Sequence, residues 1–591
     1  MMMRHLRDVI FSYIALLLPI VLAGVGRAQV ADVLTGQYNN ARTAANLAET
    51  TLTPANVSPS TFGLLFTQQV DSSFYAQPLY VHGLTINGAT HNVIFVATMR
   101  DTVYAFDADT AQAPLWSITL GNPVPTATLN VGILSTPVID IGLQTLFVLA
   151  YTTQEDGPSV YRLHALNLLT GTEITNVSVQ AAVPGTGDNT QTTACVSGNG
   201  GSVPPPCIPF MAGEELQRTA LLEDANSNIY VAFGTANGEE ATHPYHGWLI
   251  GYHYSGGAFT QTTVFASTQN ATQTGRACSS PEPPSNQCGH GGGIWMSGRG
   301  PALDSTGIYA VTGNGGFGGA GTGNWGESVL RLSGGLVEDS FTADNYANLN
   351  GNDLDLGNAG ALLFSSTNTT VPNLLVASGK AGMVYVLNRA SLGGFTSTNG
   401  GAVQVLTQTP QGCGTGPGQN ACYEIHSQAF WARTGAAPIL YIWAWGDVLR
   451  AWDFNATSNQ FSPDLHQGTL PAPYYPGGTL AVSANGNRDG IVWGITATTS
   501  SAPGQGEMYA FDAGNVSGPQ WVSTDYWFIT KFVVPLVANG KVYVSSSASP
   551  TGITPSYSPL LRVYGLCSSS PSGCVSAKPG SARPHAASRI K

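Results

Sequence analysis

Short apolar runs separated by turn residues recur along the chain from residue 62 to residue 566. Each copy opens with a short apolar segment, such as residues 77–83 (QPLYVHG) or 300–306 (GPALDST), and continues into a hairpin such as residues 92–108 or 373–389. Apolar side chains alternate with polar or small ones in these runs, and Tyr, Val, Ile and Trp are common, which is typical of β-strands. The pattern predicts an all-β fold rather than a bundle of helices.

Eight copies of this repeat can be counted in the sequence. Between Tyr104 and Arg562 their spacing averages about 65 residues, whereas WD40 repeats span roughly 40–45 residues and kelch repeats about 50. Eight copies predict an eight-bladed β-propeller with four-stranded blades around a central channel. Residues 62–70 (FGLLFTQQV) form a further predicted strand, and the eighth copy ends without a clear outer strand. We therefore expect the early strand to complete the last blade and to cover its edge.

The composition agrees with a large core and tightly turned loops. Hydrophobic residues make up 43% of the chain and charged residues only 9%, against roughly 25% charged in an average soluble protein. The formal net charge is −12, and lysines and arginines are not clustered, which argues against a nucleic-acid partner.

The N-terminus is typical of a targeting signal. Arg4 and Arg7 precede an apolar run of fifteen residues, 9–23, and Gly26 and Ala28 supply the small residues of a cleavage site. A retained membrane anchor is the alternative, for which fifteen residues are short, and no other segment is long and apolar enough to span a bilayer. We therefore predict a secreted or periplasmic protein with no membrane span after cleavage.

The predicted organisation has four parts, which are a signal peptide (1–28), an N-terminal extension (29–61), the propeller (62–566) and a disulfide loop with a disordered tail (567–591). Eight cysteines fall into neighbouring pairs, and none shows the paired CxxC spacing of a zinc site. The simplest account is four local disulfides, which agrees with export: Cys195/Cys207, Cys278/Cys288, Cys413/Cys422 and Cys567/Cys574.

Two hairpins, VYAFDA (103–108) and MYAFDA (508–513), resemble the repeat of proteins that bind pyrroloquinoline quinone (PQQ). The middle of the chain is similar to the PQQ-dependent alcohol and methanol dehydrogenases in the order and approximate spacing of four segments: GGGIW (291–295), TGNG (312–315), NGNDLDLG (350–357) and GKAGMVYVLNR (379–389). Upstream, residues 236–252 resemble the segment that carries the family's calcium-binding glutamate. The resemblance implies a propeller of the quinoprotein type.

The resemblance also implies roles for single residues. Trp295 would be the surface on which the quinone stacks, and Lys380 would hold a quinone oxygen through a charge-assisted hydrogen bond. Asp353 or Asp355 would accept the proton of the alcohol as hydride passes to the cofactor.

A calcium site is implied in the same way. Glu239 or Glu240 and Asn314 would donate oxygens to Ca²⁺, which would act as a Lewis acid on the quinone carbonyl. All of these residues also have a structural interpretation. Trp295 suits packing between blades, TGNG is an ordinary turn sequence, paired glutamates in a long loop are usually solvated, and carboxylates among Asn and Gly often cap turns.

Some features depart from the family. Its adjacent cysteines, which form a disulfide over the cofactor, are absent, and the Arg expected just beyond residues 129–137 is missing. His246-Gly247 stands where the family has Arg-Gly. No CxxCH motif occurs, so no covalently bound haem is expected and electrons would pass to an external acceptor.

Three functions are compatible with the sequence. The first is a divergent dehydrogenase that uses Ca²⁺ and PQQ to oxidise an alcohol or sugar. The second is a non-catalytic propeller that binds a polymer or protein outside the cytoplasm. The third is an unrelated activity, such as carbohydrate cleavage, on the same scaffold.

Overall fold

The computed structural model describes residues 31–126, 130–236, 242–270, 288–407, 423–462, 466–500, 504–525, 527–547, 559–569 and 573–574. Within these residues the predicted all-β fold is confirmed, because eight antiparallel sheets follow one another along the chain as the blades of a propeller. The predicted signal peptide and most of the predicted C-terminal tail lie outside the described residues. No helix within the described residues is long and apolar enough to cross a membrane.

The first four blades are built from consecutive segments of the chain. Blade 1 contains Leu79–Ile86, Ala89–Ala97, Thr102–Asp107 and Trp116–Thr119. Blade 2 contains Val138–Asp140, Thr145–Gln154, Gly157–Asn167 and Glu173–Ser178. Blade 3 contains Glu215–Leu216, Leu222–Glu223, Asn228–Thr235, Trp248–Ser255 and Ala258–Ala266. Blade 4 contains Ala302–Asp304, Gly307–Val311, Ser328–Ser333 and Leu336–Thr342, with Gly394–Phe395 added at its edge.

The second half of the ring repeats this arrangement. Blade 5 contains Ala361–Ser365, Asn373–Ser378, Met383–Asn388 and Gln404–Thr407. Blade 6 contains Gln428–Trp431, Ile439–Ile442, Val448–Asn455, Gln460–Phe461 and His466–Pro471. Blade 7 contains Thr479–Asn485, Arg488–Ala497, Gly506–Asp512 and Trp521–Val522, and Ala45–Asn46 joins it in parallel. Blade 8 contains Phe528–Ile529, Leu536–Ala538, Lys541–Ser547 and Leu560–Leu566.

Short elements lie in the connections between these strands. The hairpin strands are Val124–Pro125 with Asn130–Val131, Ala182–Pro184 with Cys207–Pro209, Cys195–Val196 with Ser202–Val203, and Phe317–Gly319 with Asn324–Trp325. One α-helix (Tyr346–Gly351) and four 3₁₀ turns complete the described structure; the turns are Gly198–Gly200, Met296–Gly298, Leu356–Asn358 and Cys567–Ser569.

The ring is closed by the strand that precedes blade 1. Phe62–Gln69 pairs antiparallel with Leu560–Leu566, so that Phe62 lies opposite Leu566 and Gln69 opposite Leu560. The prediction that an early strand completes the last blade is therefore confirmed. Because a sheet edge left open invites pairing with another chain, this closure protects blade 8.

The segment 33–49 crosses the centre of the ring. Its backbone or side chains hydrogen bond to one strand of every blade, through residues that follow one another in blade order: Tyr80, Ile139, Glu223, Leu303, Leu363, Phe430, Val482 and Val537. A segment this short can reach all eight strands only if they surround the channel, so these are the inner strands. The sequence predicted an extension here but not its place in the channel.

Two of the four predicted disulfides are confirmed, Cys195–Cys207 and Cys567–Cys574. Cys288 is also disulfide-bonded, whereas its predicted partner Cys278 lies outside the described residues. The predicted pair Cys413/Cys422 lies outside them as well. The core between blades is apolar and aromatic, with Trp248, Trp443, Trp493 and Trp527 almost fully buried.

Candidate functional site

A cavity of about 460 Å³ lies at the end of the ring where the inner strands begin. Many of its lining residues stand in the segments just before the inner strands of blades 3, 4, 5, 7 and 8, in this order: Arg218, Trp295, Asn358, Tyr475 and Phe532. Asp353, Asp355 and Lys380 line the same cavity. Four of the residues singled out in the sequence, Trp295, Asp353, Asp355 and Lys380, therefore share one cavity near the ring axis.

The carboxylates and the lysine form a compact ion-pair group. Lys380 Nζ lies 2.9 Å from Asp353 Oδ1 and 2.6 Å from Asp355 Oδ2. The backbone N–H of Asn314 donates to Asp355 Oδ1 at 3.0 Å, and Asn314 Nδ2 donates to Asp353 Oδ1 at 2.9 Å. Three separate sequence motifs, around residues 314, 353 and 380, thus meet within hydrogen-bonding distance.

Two glycines allow Asp355 to reach this position. A Cβ atom at Gly313 would lie 2.2 Å from Asp355 Oδ1, and one at Gly379 would lie 2.3 Å from the Asp355 carbonyl oxygen. Neither position tolerates a side chain, which explains the glycines in TGNG and GKAG. The backbone of Lys380 donates to the Asp355 carbonyl at 3.1 Å, so the lysine and the aspartate are also tied through the main chain.

The two aspartates differ in their access to the cavity. The side chain of Asp353 is 61% exposed and that of Asp355 only 6%. Both oxygens of Asp355 accept bonds, one from the Asn314 N–H and the other from Lys380. Asp353 uses Oδ1 for its contacts with Lys380 and Asn314, and no contact to a described residue engages its Oδ2. Asp353 therefore presents a carboxylate oxygen to a ligand, whereas Asp355 is held as a structural partner of Lys380.

Charges around the group set its protonation. Burial opposes the charge of Lys380, but Asp355 and Asp353 outweigh burial and raise the pKa of the ammonium above its usual value. Burial, partly offset by the charge of Lys380, raises the pKa of the nearby Glu424 to about 7. Burial and the charges of Lys380 and Lys531 lower the pKa of His426 well below its usual value. At neutral pH Lys380 is therefore a permanent cation, and His426 is neutral.

Aromatic rings form the other side of the cavity. The indole of Trp295 packs over Gly234, where a Cβ atom would lie 2.8 Å from the ring. The guanidinium carbon of Arg218 lies 5.7 Å from the ring centroid of Trp295 and 5.4 Å from that of Phe532. Lys531 Nζ lies 4.7 Å from the ring centroid of Tyr475. The cavity thus combines flat apolar surface with cationic groups.

The sequence did not single out Arg218, Tyr475, Phe532 or Lys531. A usable signal was present, because Arg218, Tyr475 and Phe532 stand one to three residues before the apolar segments that open blades 3, 7 and 8. Residues at that register in a propeller converge on the axis from all sides.

The predicted calcium ligands are only partly described. Asn314 is fully buried beside both aspartates, whereas Glu239 and Glu240 lie outside the described residues. Within the part of the chain that the structure describes, no group of three or more His, Cys, Asp or Glu side chains could hold a metal ion. The described residues offer Ca²⁺ two carboxylates and one amide, with the Lys380 ammonium bridging the carboxylates, so by themselves they do not form a calcium site.

Comparison with known proteins identifies the architecture. No protein-family model matches the chain, and no curated protein sequence matches it. Among solved structures, quinohemoprotein alcohol dehydrogenase from Comamonas testosteroni is 14% identical with a TM-score of 0.57, over 93% of this chain and 82% of that one. Quinohemoprotein alcohol dehydrogenase ADHIIG from Pseudomonas putida HK5 is 14% identical with a TM-score of 0.54, over 94% of this chain and 82% of that one.

A europium-containing methanol dehydrogenase is also similar, at 13% identity with a TM-score of 0.54, over 90% of this chain and 98% of that one. At these identities the likeness shows the fold alone. The chain therefore has the propeller architecture of quinoprotein dehydrogenases.

Proposed function

We propose that this protein is a quinone-dependent dehydrogenase that oxidises an alcohol or a sugar outside the cytoplasm, with the cavity around Trp295, Asp353 and Lys380 as its active site. The proposal rests on one observation, which is that predicted site residues from separate motifs lie close together in the structure. Four residues chosen from motifs spread over residues 291–389 meet in one cavity near the axis of the ring. Extracytoplasmic location is supported by the two described disulfides.

The described residues fit PQQ, a planar tricarboxylate. The ring of Trp295 offers a flat surface, and Lys380 and Arg218 bring positive charge into the cavity. When bound, PQQ supplies the oxidant that accepts a hydride. The indole of Trp295 would orient the cofactor by stacking, and the Lys380 ammonium would donate a hydrogen bond to a quinone oxygen.

Asp353 is our candidate for the general base. Its Oδ2 is available to a ligand. Desolvation and the charge of Asp355 raise the pKa of Asp353, which strengthens the carboxylate as a proton acceptor, while the Lys380 ammonium 2.9 Å from Oδ1 opposes this shift. Asp355 is our candidate for positioning Lys380, because it is buried and both of its oxygens are engaged. Neither role requires Ca²⁺. If Ca²⁺ binds, Asn314 and Glu239 or Glu240 remain the proposed ligands.

The first experiment is a titration of metal-stripped protein with PQQ, with and without Ca²⁺, followed by tryptophan fluorescence. We expect saturable binding that Lys380→Met weakens, because the substitution removes the ammonium proposed to hold a quinone oxygen and leaves the charges of Asp353 and Asp355 unbalanced. Reduction of a dye acceptor over a panel of alcohols and sugars then reports turnover. Asp353→Asn should lower kcat by about 10²-fold or more while PQQ still binds, since only proton acceptance is lost.

The matched control is Asp453→Asn, which removes an aspartate from an ion pair with Arg433 in blade 6, away from the cavity. This variant should bind PQQ and turn over substrate as the wild type does. Absence of binding at micromolar PQQ, with and without Ca²⁺, would exclude the dehydrogenase and leave a propeller whose ligand is a polymer or a protein.

A further inference from the structure

Arg218 is a cation of the cavity that has no anionic partner among the residues the structure describes. Its side chain makes no hydrogen bond and no ion pair with any residue that the structure describes, and its Nε atom is buried. The rings of Trp295 and Phe532 flank the guanidinium, with its central carbon 5.7 Å and 5.4 Å from their centroids. Aromatic rings stabilise a guanidinium through cation–π contact, but they leave its N–H groups without acceptors.

Other buried guanidinium groups of this chain have acceptors. Arg42 donates to three carbonyl oxygens and one hydroxyl, and Arg299 donates to the carbonyl of Gln428. Arg389 and Arg562 each contact an aspartate. Arg218 therefore differs from these arginines, because its guanidinium group has no hydrogen-bond acceptor among the described residues.

Lys531, which precedes the lining residue Phe532 in the chain, is a second cation without an acidic partner among the described residues. Its ammonium lies 4.7 Å from the ring centroid of Tyr475. Burial lowers the pKa of Arg218, and burial together with the charge of Arg218 lowers the pKa of Lys531. Two neighbouring cations that disfavour each other destabilise an empty cavity, and an anion between them would reverse the effect.

We propose that Arg218 and Lys531 form a subsite that binds a carboxylate group of the cavity's ligand. The guanidinium fork matches the two oxygens of a carboxylate, and the rings of Trp295, Tyr475 and Phe532 suit the flat body of an organic acid better than a bare inorganic anion. The carboxylate has two possible sources, a carboxylate of PQQ or that of a hydroxy-acid or sugar-acid substrate. The subsite rests on the proposed function for its place in catalysis, but its binding chemistry can be tested separately.

The test compares wild-type protein with the double variant Arg218→Gln/Lys531→Gln. The probes are PQQ, sodium gluconate and neutral glucose, each titrated alone with tryptophan fluorescence and calorimetry as readouts. The matched control is Arg100→Gln/Arg488→Gln, which removes the same charge from two exposed arginines outside the cavity. Circular dichroism and thermal unfolding establish that both variants fold.

A loss of PQQ affinity of about tenfold or more in the double variant, with the control unchanged, assigns the subsite to the cofactor. A similar loss for gluconate with PQQ affinity retained assigns it to an acidic substrate. If wild-type protein binds no PQQ but binds gluconate in a manner that requires Arg218 and Lys531, the proposed function fails and the subsite stands. The proposal is overturned if the double variant binds PQQ and gluconate as tightly as the wild type, or if the wild type binds neither.

Discussion

At the scale of single residues, the surroundings of Glu223 disfavour the ionised form of its carboxyl group. It ends an inner strand of blade 3, beside Asp140 at the end of the inner strand of blade 2. Burial, followed by the charge and hydrogen bonding of Asp140 and the charge of Asp224, raises the pKa of Glu223 from 4.5 to about 8. At neutral pH the fold therefore favours the protonated form of Glu223, whose side chain hydrogen bonds with that of Asp140.

This shift predicts a pH dependence of stability. Because the folded pKa is raised, the contribution of Glu223 is fully present below pH 4.5 and is lost as the pH rises through about 8. Glu223→Gln keeps a hydrogen-bond donor and removes the titration. We expect the variant to match the wild type at pH 4.5 and to exceed its free energy of unfolding at pH 8 by about 2 kcal/mol or more. Urea denaturation at both pH values measures this; equal pH dependence of the two proteins would contradict it.

The site illustrates what a sequence reveals at this scale. Trp295, Asp353, Asp355 and Lys380 were identified because each belongs to a motif with its own glycines and spacing. Arg218 and Lys531 belong to no motif, and they come near one another only because the ring brings blades 3 and 8 together around the axis. The choice between Asp353 and Asp355 also depends on exposure, 61% against 6%, which spacing along the chain does not encode.

At the scale of elements, the segment 33–49 lies within the channel and hydrogen bonds to the inner strand of every blade. Four of its residues, Gln37, Tyr38, Arg42 and Ala44, adopt the left-handed conformation that side chains other than glycine disfavour. The segment that contains them is held by hydrogen bonds to inner strands all around the ring. The sequence shows no strand-like alternation in this segment, because its partners are single positions on eight strands rather than one neighbouring strand.

Arg42 should be the residue on which this segment most depends. Its guanidinium is fully buried and donates to Thr35 Oγ1 and to the carbonyl oxygens of Gly36, Leu221 and Pro301 at 2.7–3.2 Å. Arg42→Met leaves these acceptors buried without donors, so we expect a loss of about 3 kcal/mol or more in the free energy of unfolding.

Guanidinium denaturation of Arg42→Met and of the wild type measures the loss. The control is Arg100→Met, which changes an exposed arginine of blade 1 and should leave the midpoint unchanged. A midpoint for Arg42→Met equal to that of the control would show that the segment does not depend on this side chain.

At the scale of the whole molecule, the fold could be predicted because a propeller repeats the same information eight times. Where the strand pattern is weak in one copy, the other seven copies still indicate the fold. The extra strand at 62–70 was expected to pair with the eighth copy, which lacked a clear outer strand. Each connection between strands occurs only once in the chain, so no repeated pattern helps to predict its structure. The helix Tyr346–Gly351 and the turn Leu356–Asn358, which frame Asp353 and Asp355, therefore could not be read from the repeat.

The pairing of Phe62–Gln69 with blade 8 leads to a prediction about the stability and association of the whole ring. Leu65 is buried in the closing strand and lies against Gly565, whereas Gln69 is exposed on the same strand. Leu65→Asp places an unpaired charge in that contact, so we expect the closing strand to detach, the thermal midpoint to fall and the freed edge of Leu560–Leu566 to pair between molecules. Calorimetry and light scattering after gel filtration report both effects. Gln69→Asp should remain monomeric with an unchanged midpoint; if Leu65→Asp does the same, the ring is held by its core and by the segment 33–49 rather than by the strand that closes it.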